Sequence, residues 1–138
     1  DEGSGADLGL QAVNLTQRAV DGRHAHTSLT RDVYATLGGT PQAMLAWCGA
    51  ARQFAYATLA PKVFAHAEHD AEAARMLARA AQSLESLAMA LDPTHTLPLA
   101  VAGSIAQRLL PRLSAALVRR VVPAQGDAMD GALALCFQ

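Results

Sequence analysis

The chain has 138 residues, of which 51% are hydrophobic and 17% charged, so it can build a packed core and is not disordered. Its net charge of -1 and the absence of any basic run longer than Arg119-Arg120 argue against nucleic acid as a partner. No apolar run approaches the ~20 residues that span a bilayer. We therefore expect a cytoplasmic protein that binds neither nucleic acid nor membrane.

The first ten residues, Asp1-Glu2-Gly3-Ser4-Gly5-Ala6-Asp7-Leu8-Gly9-Leu10, place two acids before a glycine–serine–glycine turn. Apolar residues then recur at helical spacing, which predicts a helix from Ser4 or Ala6 to Val20, closed by Asp21-Gly22. Carboxylates beside a helix start and a bare backbone can bind the hydroxyls of a polyol. They are equally typical of first-turn acids that the helix dipole favours. Both interpretations stay open on these residues alone.

Several shorter helices are predicted in the region that follows. They run from Thr27 or Ser28 to Leu37, from Pro41 after the cap Thr40, over 51–60 with Phe54 facing inward, and onward from Pro61.

The longest predicted helix starts at Asp70 and closes at Asp92-Pro93. Its period of 3.6 residues is clear, since a single apolar stripe runs along one face. The stripe consists of Leu77, Ala80, Ala81, Leu84, Leu87, Ala88 and Leu91.

The last third alternates predicted strands and helices. We expect a buried strand over Leu97–Ala102, a turn at Gly103-Ser104 into a helix, and a second short strand at Val121-Val122. A final helix capped by Asp127 is predicted to run through Phe137. This alternation is typical of an α/β fold. Two strands alone make a marginal sheet, so we expect further strands upstream of Asp1.

Two glycine-containing segments in this part could contact a ligand. A glycine at the end of a strand, as in Gly103-Ser104, lets a flat ring or a phosphate approach a helix start, but an ordinary tight turn has the same sequence. Within Gly126–Ala132, Gly131 in a helix costs about 1 kcal/mol relative to alanine. Close packing against a helix or a ligand would explain that glycine.

The cysteines and histidines do not form a recognisable motif. Cys48 and Cys136 lack the spacing of a CxxC pair, so we expect buried free thiols in a reducing compartment. His66 and His69 are three residues apart beside two acids, which could make half a metal site, but the dense ligand motifs of metal centres are missing. We expect solvated histidines and no metal site.

Three segments stand in a recognisable order: Asp1-Glu2-Gly3-Ser4-Gly5-Ala6, then Leu99–Ala106 with its Ala-Gly-Ser turn, then Gly126–Ala132. Together they resemble the second half of the N-acetylglucosamine kinase and BadF/BadG-type ATPase family, within the actin-like, sugar-kinase and Hsp70 superfamily. The resemblance implies an α/β fold, the second lobe of an actin-like (ribonuclease H-like) ATPase, here mostly helical with one or two strands. Residues 1–138 would be a single domain or fragment, with a helical insertion over about 22–92.

The resemblance also implies roles for particular residues. Asp1, with Glu2 beside it, would contact the sugar, and Gly103 and Ser104 would contact the nucleotide. A small residue of the long helix, Ala80 or Ala81, would line the adenine pocket. The family's catalytic aspartate and phosphate loops lie upstream of the segment that Asp1 begins, so neither a catalytic residue nor a metal ligand is expected in this chain.

The implied activity is ATP-dependent phosphorylation of an amino sugar, with N-acetylglucosamine as first choice, ATP and Mg²⁺ as cofactors and a homodimer as a possible assembly. The 138 residues alone are expected to be inactive. Three alternatives remain: a glucosamine kinase, a BadF-type activator ATPase, and a non-catalytic sugar- or nucleotide-binding or helical interaction module.

Overall fold

The computed structural model describes residues 1–137, without the side chain of Ala128, and these form two compact units. The first unit is Asp1–Ser83 and the second begins at Leu84. Helices of the first unit are α1 (Gly5–Val20), α2 (Ser28–Thr36), α3 (Pro41–Ala50), α4 (Gln53–Ala57), α5 (Ala60–His66) and the start of α6 (Ala71–Leu91). The second unit holds the end of α6, β1 (Leu99–Ala100), α7 (Ser104–Leu109), a 3-10 turn (Leu110–Arg112), α8 (Ala115–Val118), β2 (Val121–Val122) and α9 (Ala128–Cys136).

Side-chain caps start the first three helices where the sequence predicts them. The hydroxyls of Ser4, Thr27 and Thr40 each accept a hydrogen bond from the backbone N–H three residues on. Such caps satisfy N–H groups that have no partner inside the helix. The predicted helix ends are also confirmed, with Gly22, Gly38 and Gly39 all at positive φ.

The core of the first unit forms where α1 packs against α2, α4 and α5. Its large side chains are fully buried: Leu8, Val13, Leu29, Val33, Leu59, Val63 and Leu77. The predicted insertion over 22–92 stays a prediction, but α1 shares one core with helices that lie within that range.

The segment after Ala50 differs from the prediction of one helix over 51–60. Ala51 and Arg52 are extended, so α4 begins only at Gln53 and a second helix begins at Ala60. Phe54 is 82% exposed, and its predicted inward orientation is wrong. The late start places the backbone of Tyr56, rather than the ring of Phe54, against α1.

The two strands of the second unit pair in parallel, with Leu99 opposite Val121 and Ala100 opposite Val122. This confirms strand–helix alternation in the last third of the chain. The strand predicted over 97–102 is wrong in length and burial, since only two residues pair and Leu97 is 57% exposed. Two paired residues give too few ladder hydrogen bonds to hold the strands by themselves.

An ion pair between Asp92 and Arg120 reinforces this short sheet. The Asp92 carboxylate accepts from the Arg120 guanidinium, from the Thr94 hydroxyl at 2.8 Å and from the Leu97 backbone N–H at 3.0 Å. Arg120 also donates to the Leu97 carbonyl, and its own carbonyl accepts from Leu99 at 2.9 Å. The pair therefore ties the segment before β1 to the segment before β2.

The second unit leaves more of its large apolar side chains exposed than the first unit does. Several large apolar side chains are exposed there: Leu87, Met89, Leu91, Met129, Leu133, Leu135 and Phe137. Cys136 is exposed and Cys48 is half-buried, so the prediction that both thiols are buried is wrong. No helix among residues 1–137 has the length and hydropathy needed to cross a bilayer.

Candidate functional site

An open groove of about 450 Å³ lies beside the first residues in the first unit. One wall is the glycine-rich turn with the start of α1, and the other is the extended segment and α4. The residues that line it are Asp1, Glu2, Ala6, Asp7, Leu10, Ala51, Arg52, Gln53 and Tyr56. The predicted sugar ligands Asp1 and Glu2 are thus both at this groove, and both are exposed to solvent.

The Asp1 carboxylate has a partner on the opposite wall. The side-chain amide of Gln53 donates from Nε2 to Asp1 Oδ2 at 2.7 Å. Sequence reasoning missed Gln53, since the two residues are 52 positions apart and no motif joins them. Only the packing of α4 against α1 brings them together.

Asp7 holds the turn that carries Asp1 and Glu2. Its carboxylate accepts from the Gly3 backbone N–H and from Gln11 Nε2, both at 2.9 Å, while its own N–H donates to the Ser4 hydroxyl. Gly3 has a φ of 74°, and a Cβ there would lie 3.1 Å from the carbonyl oxygen of Ala80. The turn is therefore fixed from both sides, which orients the two acids before it.

The second predicted motif, Gly103-Ser104, lies in the second unit. Gly103 has a φ of 91°, a conformation that favours glycine, and Ser104 is the first residue of α7. An apolar groove of about 200 Å³ is formed in this unit by the end of α6, the β1 segment and two further side chains. Its lining residues are Leu84, Leu87, Ala88, Leu91, Leu99, Ala100, Val101, Ala102, Ala106 and Leu117.

Ala80 and Ala81 lie in the first unit and are only 2% and 3% exposed. The assignment of an adenine pocket to them therefore gains no support. The small residue of α6 at the apolar groove is Ala88, eight positions after Ala80. The role of Ala80 or Ala81 at an adenine pocket stays a prediction.

The third motif, Gly126–Ala132, contains the start of α9. The Asp127 carboxylate accepts from the N–H groups of Met129 and Asp130, and the Asp130 side chain accepts from the Asp127 N–H in return. A Cβ on Gly131 would meet no described atom within 4 Å. The close packing expected at Gly131 is thus not found among the described residues.

His66 departs from the expectation of a solvated ring. His66 donates from Nε2 to the Asp32 carboxylate at 2.9 Å and is hydrogen-bonded through Nδ1 to the Ser28 hydroxyl at 3.1 Å, with its side chain 23% exposed. Hydrogen bonds from Lys62 and His66 lower the pKa of Asp32. Residues 1–137 contain no group of three or more side chains placed to bind a metal ion.

Asp70 joins the hydrogen bonds among Asp32, Ser28 and His66 to the start of α6. Its carboxylate accepts from the Ser28 hydroxyl at 3.2 Å and from the backbone N–H groups of Leu29, Glu72 and Ala73. Burial raises the pKa of Asp70, but the hydrogen bonds to its carboxylate outweigh this effect and hold the pKa at about 2. Asp70 is thus a structural carboxylate that connects α2 to the start of α6.

Comparison with known proteins finds two longer chains that are similar to this one. Glucosamine kinase GspK from Vibrio cholerae is 32% identical over 134 residues, which are 96% of this chain and 46% of that protein. The chain is thus similar to part of an amino-sugar kinase. The crystal structure of a proposed N-acetylglucosamine kinase from Chromobacterium violaceum matches with a TM-score of 0.94 and 46% identity, over 98% of this chain and 47% of that one. No protein-family model matches the chain.

The chain spans about half the length of the kinases that it matches. Nearly all of it is included in both comparisons, so most of the residues that line the groove at Asp1, and the turn at Gly103, lie in the shared segment. The mostly helical architecture of residues 1–137, with its parallel strand pair, matches that of about half of the Chromobacterium violaceum protein.

Proposed function

We propose that the protein to which this chain belongs phosphorylates an amino sugar at the expense of ATP, and that this chain supplies parts of both binding sites. The observation that carries the proposal is the match of almost the whole chain to two kinases of this kind, combined with an acidic groove at its first residues. We further propose that the chain is the second lobe of an actin-like fold, with ATP between two lobes.

At the sugar side, Asp1 and Glu2 would accept hydrogen bonds from the substrate. Carboxylates accept charge-assisted hydrogen bonds, which are roughly twice as strong as neutral ones, so they suit a polyol. The fixed turn below them keeps the acids in place before the sugar arrives, which reduces the entropy lost on binding. In this scheme the chain binds and orients the sugar, and the catalytic aspartate comes from elsewhere in the protein.

At the nucleotide side, Gly103 and Ser104 would contact ATP, and the apolar groove of the second unit would hold the adenine ring. Its lining is aliphatic, which fits the flat apolar faces of a purine. Bound ATP and Mg²⁺ would supply the phosphoryl group and neutralise its charge during in-line transfer. The described residues of this chain contain no cluster of metal ligands, so those would come from the rest of the protein or from the nucleotide.

N-acetylglucosamine is our first choice of substrate, in line with the more similar of the two kinases. Glucosamine is the second candidate, and one observation favours it. The groove is lined by the carboxylates of Asp1, Glu2 and Asp7 against the single cation of Arg52 among the described lining residues. This negative surface would attract the ammonium group of glucosamine, which acetylation removes.

A substrate panel with the full-length protein tests the proposal. ATP consumption would be followed with N-acetylglucosamine, glucosamine, N-acetylmannosamine and glucose at saturating Mg²⁺. We expect an amino sugar to have the highest kcat/KM, and the isolated 138 residues to show no turnover. A preference for glucosamine would replace the first choice by the second. Absence of turnover with every sugar would overturn the kinase proposal and favour a non-catalytic binding module.

A further inference from the structure

The groove at Asp1 depends on a contact that spans the first unit. Gln53 stands at the first position of α4 and reaches across to Asp1, with 2.7 Å between Nε2 and Oδ2. A carboxylate only accepts hydrogen bonds, so the amide must present its NH₂ group to Asp1. This orientation turns the amide oxygen of Gln53 away from Asp1.

The backbone position of Gln53 is set by the packing of α4 and not by contacts of the Gln53 side chain. Helix α4 approaches α1 so closely that the Tyr56 carbonyl fills the space beside Gly9. The Tyr56 ring also packs edge-on against Trp47, with 5.1 Å between ring centroids. Just after α4, Leu59 and Ala60 are buried in the core. The base from which Gln53 extends is therefore well fixed.

The turn holds the backbone of Asp1, whose carbonyl accepts from the Ser4 N–H at 3.2 Å, but it does not hold the Asp1 carboxylate. The side chain of Asp1 is exposed, and a freely rotating carboxylate would lose rotamer entropy when it binds a ligand. The Gln53 amide occupies one lone-pair site of the carboxylate. An ionised carboxylate has about four such sites, so the remaining ones can accept from hydroxyls of a ligand in the groove.

We propose that Gln53 is a positioning residue of the amino-sugar site, which holds the Asp1 carboxylate in the orientation that binds sugar. This inference rests on the proposed function. It adds a residue on the far wall of the groove, and it makes α4 a determinant of sugar affinity.

The test compares sugar and nucleotide affinities of variants in the full-length protein. Gln53→Leu keeps the approximate volume and removes the donor. We expect its KM for the amino sugar, and the sugar Kd measured by calorimetry without ATP, to rise about tenfold, because the bond to a charged group is lost. The KM for ATP and the thermal midpoint should stay close to the wild-type values. Gln42→Leu, the same change at an exposed position of α3 outside the groove, is the matched control.

A double variant separates positioning from a direct or structural role. If Gln53 acts through Asp1, Gln53→Leu should add little to the sugar Kd of Asp1→Asn, and the two effects should be strongly non-additive. Fully additive effects, or a Gln53→Leu protein that binds the sugar as tightly as wild type, would overturn the inference. Wild-type protein that turns over no sugar would instead overturn the proposed function, so the two failures are distinguishable.

Discussion

The carbonyl oxygen of Tyr56 lies only 1.8 Å from the point where a Cβ on Gly9 would stand. No real side chain tolerates such a distance, so only glycine lets α4 approach α1 this closely. Because α4 carries Gln53 and borders the groove at Asp1, the absence of one methyl group in α1 determines the shape of the candidate sugar site.

Gly9→Ala should therefore force α1 and α4 apart. We expect a loss of about 3 kcal/mol in the free energy of unfolding, the upper part of the usual range for overpacking. Urea denaturation of the full-length protein measures it. Gly49→Ala is the control, because a Cβ there meets nothing within 4 Å and alanine favours the α3 helix by up to about 1 kcal/mol. Equal stability changes in both variants would contradict the close approach.

Asp1→Asn should weaken the binding of the sugar but not that of the nucleotide. The amide keeps the size of the carboxylate but loses its charge, so we expect the sugar KM to rise about tenfold or more, with the ATP KM within twofold. Steady-state kinetics of the full-length protein measure both. Asp21→Asn changes an exposed carboxylate outside the groove and should leave both constants unchanged. A parallel loss of both affinities would indicate a folding role for Asp1.

Gly103→Val should have the opposite selectivity. A β-branched side chain at a φ of 91° strains the turn and fills space beside the start of α7, so we expect nucleotide binding to weaken before sugar binding. Gly22→Val carries a similar backbone strain, at a φ of 74° after α1, without touching the turn. If both variants lost nucleotide affinity equally, strain alone would explain the effect.

Asp70 should make the first unit sensitive to acid. Its folded pKa of about 2 is below the ordinary value of 3.8, so its contribution to stability is complete above about pH 4 and is lost as the pH falls toward 2. The shift corresponds to about 2 kcal/mol. Unfolding free energies of wild type and Asp70→Asn should differ by this amount at pH 7 and converge near pH 2. Glu68→Gln changes an exposed acid nearby, and its unfolding free energy should stay close to that of wild type at pH 7.

Arg120→Met should loosen the parallel strand pair. Loss of the guanidinium removes a partner of Asp92 and two donors to the Leu97 carbonyl. We expect faster hydrogen exchange at the Leu97 and Leu99 amides. Arg119→Met alters the exposed neighbour and should leave those amides protected. Unchanged exchange in Arg120→Met would mean that the two-residue ladder suffices.

The features that sequence predicted well are local ones. Ser4, Thr27 and Thr40 cap helices through hydrogen bonds to residues three positions away, so the signal lies within one turn of chain. The contact between Asp1 and Gln53 depends on a helix approach that no local pattern encodes. Local patterns likewise do not show that Ala88, on the same face of α6 as Ala80, lines a groove formed with residues of the later chain.

The end of α9 has a practical consequence. Met129 and Leu133 lie four residues apart on one exposed face of α9, and Phe137, the residue that ends the helix, is exposed as well. Exposed apolar side chains grouped in this way favour association between molecules at high concentration. A recombinant segment that stops before Asp127 would lack these side chains yet retain Arg120 and both strands. We expect it to stay monodisperse at higher concentrations than the 138-residue segment, as measured by light scattering.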